Sequence, residues 1–274
     1  MNCRRFAILL SILFAPALGA SLRADDAAPL VFIQKGELPI ILSAPHGGNL
    51  PIPNTEERQR GERPTGGAGF VTGRDGNTEE LAHRVAASIE AKFGKKPFVV
   101  IARSHRKYLD PNRPATLAYD DPDAKPTYDA YHQGLTDACK AVQEKFRRGL
   151  LLDIHGQGSA ADTVFRGTQN GKTVKLLAER YGAGAIHGEA SLFSLLKKGG
   201  WKVHPDPFEG KEQAGFNGGY IVQTYGSHQA IGVDAYQLEF GADYRKPSQH
   251  EKTAKVLTEA VSQYAKVYLD VMMP

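Results

Sequence analysis

Two mainly apolar runs constrain this chain most: Phe98–Ala102, with three β-branched residues in a row, and Leu150–Ile154, broken only by Asp153. A strand with one face in water alternates apolar and polar residues, whereas a run without alternation needs cover on both faces. Cover of that kind comes from helices, and helical patterns lie between and around the runs. Leu81, Val85, Ile89 and Phe93 recur at helical spacing across Glu79–Phe93, behind Asn77 or Thr78 as cap. Further helices are predicted over Tyr128–Phe146, Thr173–Tyr181, Ala190–Lys198 and, at the end of the chain, Gln249–Asp270. Short strands are predicted at Leu30–Ile33 and Leu38–Ser43, with Lys35-Gly36-Glu37 turning between them, and at Ala235–Phe240. Strands alternating with helices predict an α/β fold in three layers, with a mixed, mostly parallel sheet and helices on both faces. Ligands of such sheets bind outside the carboxyl ends of the strands.

The N-terminus reads differently. Arg4 and Arg5 precede an apolar stretch from Phe6 to Phe14, too short to span a bilayer, and small residues follow at Ala15, Ala17, Gly19 and Ala20. This is the pattern of an export signal over residues 1–24, so a secreted or periplasmic protein is expected, with one domain over 25–274. Cleavage would remove Arg4, Arg5 and Arg23, and no acid, lowering the formal charge from +4 by those three. A near-neutral mature chain argues against nucleic acid as partner. No later segment is apolar and long enough to insert stably in a membrane. Cleavage also removes Cys3, leaving Cys139 alone, so neither an internal disulfide nor a cysteine zinc site can form. Any metal must then be held by histidines and carboxylates.

The residues able to do chemistry fall at predicted strand ends. His46 follows a strand and precedes Gly47-Gly48, which allow a sharp turn and close approach. His155 ends the Leu150–Ile154 strand, and alternation puts Asp153 on its face. Two histidines and one carboxylate make an open zinc site. The carboxylate is Asp75, where the long polar segment 49–73 meets a helix start, or Asp153. Asp75 also reads as a simple helix cap, and His105, His132, His187, His204 and His228 stay open as ligands. Arg103 to Arg113, after the third strand, concentrates guanidinium groups with Tyr108 and Asn112 and suits an anionic substrate; the alternative is a solvated basic loop. Gln237 and Glu239 share one face of an otherwise apolar strand, where a carboxylate needs a partner or a task.

Together these segments resemble the N-formylglutamate amidohydrolase family. The resemblance rests on Ser43-Ala44-Pro45-His46-Gly47-Gly48, Asp75 with Thr78 and the Glu-Leu after it, and Arg106 through Arg113. It continues through Asp153-Ile154-His155-Gly156, Gly218-Gly219-Tyr220, Tyr225-Gly226 and Gln237-Leu238-Glu239, in family order from Ser43 to Phe240. It implies a phosphorylase/hydrolase-like fold of the zinc carboxypeptidase and aspartoacylase kind. It further implies one zinc ion per chain on His46, Asp75 and His155, the Asp75 assignment leaning on similar phage-type poly-γ-glutamate hydrolases. Glu239 would match the general base, while Arg106, Asn112 and Arg113 would match the grip on a substrate carboxylate. Two departures stand out. The family's Asp-Leu-Asn-Arg is Asp110-Pro111-Asn112-Arg113 here, and its Asp-Leu-His-Ser is Asp153-Ile154-His155-Gly156.

The expectation is therefore a secreted, zinc-dependent hydrolase of an amide bond in an N-acyl amino acid or similar small anionic substrate. Glu239 would serve as base, Arg106 or Arg113 as oxyanion stabiliser, and Gln237 as part of the substrate site. Two rivals remain: a zinc peptidase acting on peptidoglycan fragments or poly-γ-glutamate, and an exported binding protein that has lost the metal.

Overall fold

A computed structural model of the chain describes residues 29–61, 69–208 and 210–271. The proposed export signal and part of the 49–73 segment lie outside the described residues. Seven strands form one sheet: β1 (Val31–Gln34), β2 (Ile40–Ala44), β3 (Phe98–Ala102), β4 (Leu150–Gly156), β5 (Thr163–Gly167), β6 (Lys202–His204) and β7 (Asp234–Phe240). Their order across the sheet is β1-β3-β2-β4-β7-β5-β6. The four central strands run parallel, β1 lies antiparallel to β3, and β5 lies antiparallel to β7. This is the mixed, mostly parallel sheet that the apolar runs predict.

Alternation along the central strands sorts their side chains onto two faces. Ile40, Leu42, Val99, Ile101, Leu150, Leu152, Tyr236 and Leu238 point into one core, closed by α1 (Thr78–Phe93), α6 (Leu192–Lys198) and α8 (His250–Tyr268). Ile41, Val100, Leu151 and Ala235 point into the other, closed by α3 (Lys125–Phe146) and α7 (Tyr220–Tyr225). On this second face the strands change character towards their carboxyl ends. Ser43, Asp153 and Gln237 stand in one row across β2, β4 and β7, and His155 stands beside Glu239 one step further on. A polar platform thus emerges from an apolar sheet by continuing the same alternation.

The connections decide where that platform opens. The chain leaves β2 through α1 to β3 on one side, then passes through α3 back across β2 to β4 on the other. The loops after β2 and β4 diverge at this point, which leaves a crevice at the carboxyl ends of the strands. His46 follows one of these strands and His155 lies on the other.

Some elements differ from expectation. Lys35-Gly36-Glu37 lies between β1 and β2 as read, but the two strands do not pair, because both sides of β2 are taken by parallel neighbours and β1 pairs with β3 at the edge. The Asn77 side chain makes no cap bond; its backbone is left-handed, with φ 69°. The Thr78 hydroxyl instead donates to Asp75 O at 2.7 Å. β5, β6, α2 (Ala115–Ala118), α5 (Gly184–His187) and α7 add to the elements read from the sequence, and α4 (Lys175–Tyr181) matches the helix predicted over Thr173–Tyr181. Among the described residues, no helix is long and apolar enough to cross a membrane. Cys139 is buried in α3, where burial pushes its thiol up to about 12.

Candidate metal centre

His46 is carried off the end of β2 into a turn that only glycine permits. A Cβ on Gly47 would stand 2.2 Å from the backbone nitrogen of Glu79, and one on Gly48 2.2 Å from the carbonyl carbon of Arg103. The start of α1 and the end of β3 therefore close directly on this loop. Asp75 is brought in by the same approach, its backbone N–H donating to His46 O at 2.9 Å. His155 arrives on β4 itself.

The three side chains converge. One ligand atom from each of His46, Asp75 and His155 lies within 4.8 Å of the others, and all three residues are buried. Asp75 Oδ2 sits 3.3 Å from His46 Nδ1 and 3.4 Å from His155 Nδ1, and accepts the Gly156 backbone N–H at 3.0 Å. The two imidazoles meet edge to face with centroids 4.8 Å apart.

Behind each imidazole stands a second carboxylate. His46 Nε2 lies 2.7 Å from Asp110 Oδ1, and His155 Nε2 lies 2.7 Å from Asp153 Oδ2. A carboxylate accepts only, so each Nε2 carries a proton towards its outer carboxylate, which leaves Nδ1, on the Asp75 side, as the nitrogen a metal would take in place of a proton. That is the tautomer a metal needs, and the pattern by which outer carboxylates orient and strengthen histidine ligands. The donor chemistry accordingly fits a divalent ion, with Asp75 as the carboxylate ligand. Asp153 is occupied on the far side of the ring, where it also accepts from Ser43 Oγ at 2.6 Å. Among the described residues, His105, His132, His187, His204 and His228 stand outside the cluster.

Electrostatics follow from this packing. Burial favours the neutral form of Asp75, but the two imidazoles hold its carboxyl well below the usual range. Asp110 is likewise buried and likewise held low, by Arg106 and His46. Burial would lower His155, yet Asp153 keeps its ring basic. Glu239 is the exception: burial outweighs the neighbouring cations and pushes it up to about 7.

The remaining predicted residues line the same cavity of about 500 Å³, together with Leu117, Phe216 and Tyr220. Gln237 Nε2 donates to Glu239 Oε1 at 2.7 Å, and its Oε1 accepts the Gly219 N–H at 2.7 Å. Asn112 does not present its carbonyl oxygen to the cavity alone; that atom accepts the Ile221 N–H at 2.8 Å at the start of α7. Arg106 donates to Asp110 Oδ2 at 2.9 Å and stands 3.7 Å from Asp75 Oδ1. Arg113 donates to the carbonyls of Gly69 and Asn112. The basic segment is thus largely interlocked rather than solvated. Asp110 went unassigned in the sequence reading, which weighed that segment for its cations. The signal is in the sequence, since Asp110 is the sole acid among the five basic side chains Arg103, His105, Arg106, Lys107 and Arg113.

No protein-family model matches the sequence, and no curated protein matches it. Solved structures do. The N-formylglutamate amidohydrolase from Ralstonia eutropha JMP134 superposes with TM-score 0.53 at 16% identity, covering 87% of this chain and 97% of that one. The gene product Atu2144 from Agrobacterium tumefaciens superposes with TM-score 0.56 at 12% identity, covering 88% and 96%. The N-acetylmuramyl-L-alanine amidase Ami1 from Mycobacterium smegmatis also matches, but with a TM-score of 0.36 at 12% identity over 83% and 97%. Over most of its length, the chain shares the α/β fold of the first two proteins.

Proposed function

We propose that this protein is a zinc-dependent hydrolase of the amide bond in an N-acyl amino acid or similar carboxylate-bearing substrate, exported by the signal at residues 1–24. The observation that carries this reading is the convergence of His46 Nδ1, His155 Nδ1 and one oxygen of Asp75, with each ring backed by a buried carboxylate. Two histidines and one carboxylate are the donor set of hydrolytic zinc sites that keep a position open. The fold shared with an N-formylglutamate amidohydrolase supports the same chemistry. An intact donor set favours an enzyme over a binding protein that has lost its metal.

Zinc bound there would polarise the amide carbonyl and bring the pKa of a water down to ~7. The protein's own groups would do the rest. Glu239 has one oxygen held by Gln237, which leaves the other to take a proton from the attacking water and return it to the departing amine nitrogen. Its high pKa in the buried site suits both transfers near neutral pH. Arg106, anchored on Asp110, would stabilise negative charge developing on the carbonyl oxygen.

The test is a hydrolysis screen with formyl-, acetyl- and γ-glutamyl-amino acids, run on the wild type and on Glu239→Gln. Turnover of at least one substrate is expected. The variant should lose ~10²–10⁴-fold in kcat, the range for removing a positioned general base. It should still bind metal. Full activity in Glu239→Gln would remove Glu239 from the reaction.

A further inference from the structure

Arg106 and Arg113 are poorly placed to bind a substrate carboxylate, since both have partners within the protein. Arg106 pairs with Asp110 at 2.9 Å and approaches Asp75. Arg113 gives its Nε and Nη2 to Gly69 O and one Nη1 hydrogen to Asn112 O. Arg103, close by, pairs with Glu79 at 3.1 Å.

Arg74 is different. It lines the cavity, is half-buried and directly precedes the candidate ligand Asp75. Its Nε and Nη2 both donate to Gly47 O, at 3.2 and 2.6 Å, so the guanidinium plane is locked beside the His46 turn. Among the described residues, no carboxylate stands within ion-pair distance of it. Among the described residues, Nη1 has no hydrogen-bond partner. A partly desolvated, immobilised guanidinium without a counter-charge is prepared for an anion, because its ordering cost is already met by the fold. The cavity's own acids cannot fill that role: Asp75 faces the two imidazoles, and Glu239 is held by Gln237.

We infer that Arg74 is the residue that recognises the substrate's carboxylate, through its Nη1 and the remaining Nη2 hydrogen, and that Arg106 and Arg113 do not bind that carboxylate. This rests on the proposed amide hydrolysis for its kinetic readout but not for its binding readout. It also accounts for Gly47, whose carbonyl orients the fork and whose missing Cβ lets α1 close on the turn.

The test compares N-acetylglutamate and N-formylglutamate with the same compounds as carboxamides, on the wild type, Arg74→Gln and Arg74→Lys. The wild type should prefer the carboxylate forms, and Arg74→Gln should erase about 10- to 100-fold of that preference, the range for one charge-assisted pair. The loss should fall on KM for the carboxylate substrate, and Arg74→Lys should recover part of it. Equal losses on carboxylate and carboxamide, or a preference that survives the substitution, would overturn the assignment. Calorimetric binding of N-acetylglutamate and its carboxamide, with and without zinc, covers an enzyme that hydrolyses none of these. Arg74→Gln should weaken the carboxylate ligand at least tenfold in both states. Unchanged binding in the variant, or no binding to the wild type, would count against Arg74 whatever becomes of the hydrolase reading.

Discussion

Asp110 and Asp153 each accept a hydrogen bond from the Nε2 of one imidazole, so both act on the candidate metal site without touching its centre. Replacing Asp110 by Asn keeps the size but removes the charge that fixes the His46 tautomer and anchors Arg106. Outer-shell changes of this kind cost ~10- to 100-fold in metal affinity. Asp110→Asn is therefore expected to bind zinc that much more weakly in competition with a chromogenic chelator, with its circular dichroism retained. An unaltered affinity would show that Asp110 serves the loop and not the metal site. These residues also show what a sequence discloses. His46, His155 and Glu239 are legible because each stands out locally, as a polar side chain at the end of an apolar strand. Asp110 is not, because its importance arises from a contact with a residue 64 positions away. Asp75 is intermediate: locally it reads as a helix cap, and only the closure of α1 on the Gly47 turn turns its carboxylate inward.

Elements are legible in the sequence in proportion to how regularly their apolar residues are spaced, and burial alone does not suffice: β5 is buried throughout. β3 is apolar on both faces and β4 on both faces over Leu150–Leu152, and both announce themselves, as do the amphipathic helices α1 and α8. β5 was missed because Arg166 and Thr163 interrupt its pattern, and β6 has only three residues. Arg166 is only 2% exposed, which a lone sequence argues against, and it is tolerated because Glu212 meets its Nε at 2.9 Å. Glu212 further accepts from the backbone N–H groups of Thr168 and Asn170 and from the Thr168 hydroxyl. This carboxylate pins the segment that leads to Phe216 and Gly219 in the cavity wall. Glu212→Ala leaves a buried guanidinium uncompensated, and a loss of ~3–5 kcal/mol is expected from urea unfolding. A loss below ~1 kcal/mol would mean that the segment is held by other contacts.

At the scale of the whole molecule, the sheet places one carboxylate at a cost. Asp234 opens β7 in a buried setting, and burial pushes its carboxyl from an ordinary 3.8 up to about 6, despite bonds from Ser227 Oγ and Leu177 N. The folded state therefore binds this proton more tightly than the unfolded chain. Below about pH 4 both states hold it and no penalty applies; as pH rises through about 6 the folded state must ionise a buried acid and stability falls. The full effect is on the order of 3 kcal/mol. Asp234→Asn keeps an acceptor for both donors, so its stability relative to the wild type should rise between pH 4 and 7 and level off above. A difference independent of pH would contradict this. In the proposed function, the two ends of the β2–α1 connection, carrying His46 and Asp75, and the end of β4, carrying His155, meet on a single ion. Zinc content of the purified, dialysed protein tests it most directly, measured for the wild type, His46→Ala and His155→Ala. One zinc per chain in the wild type and almost none in either folded variant is the predicted result; a folded wild type that takes up no metal, or variants that retain it fully, would contradict the account.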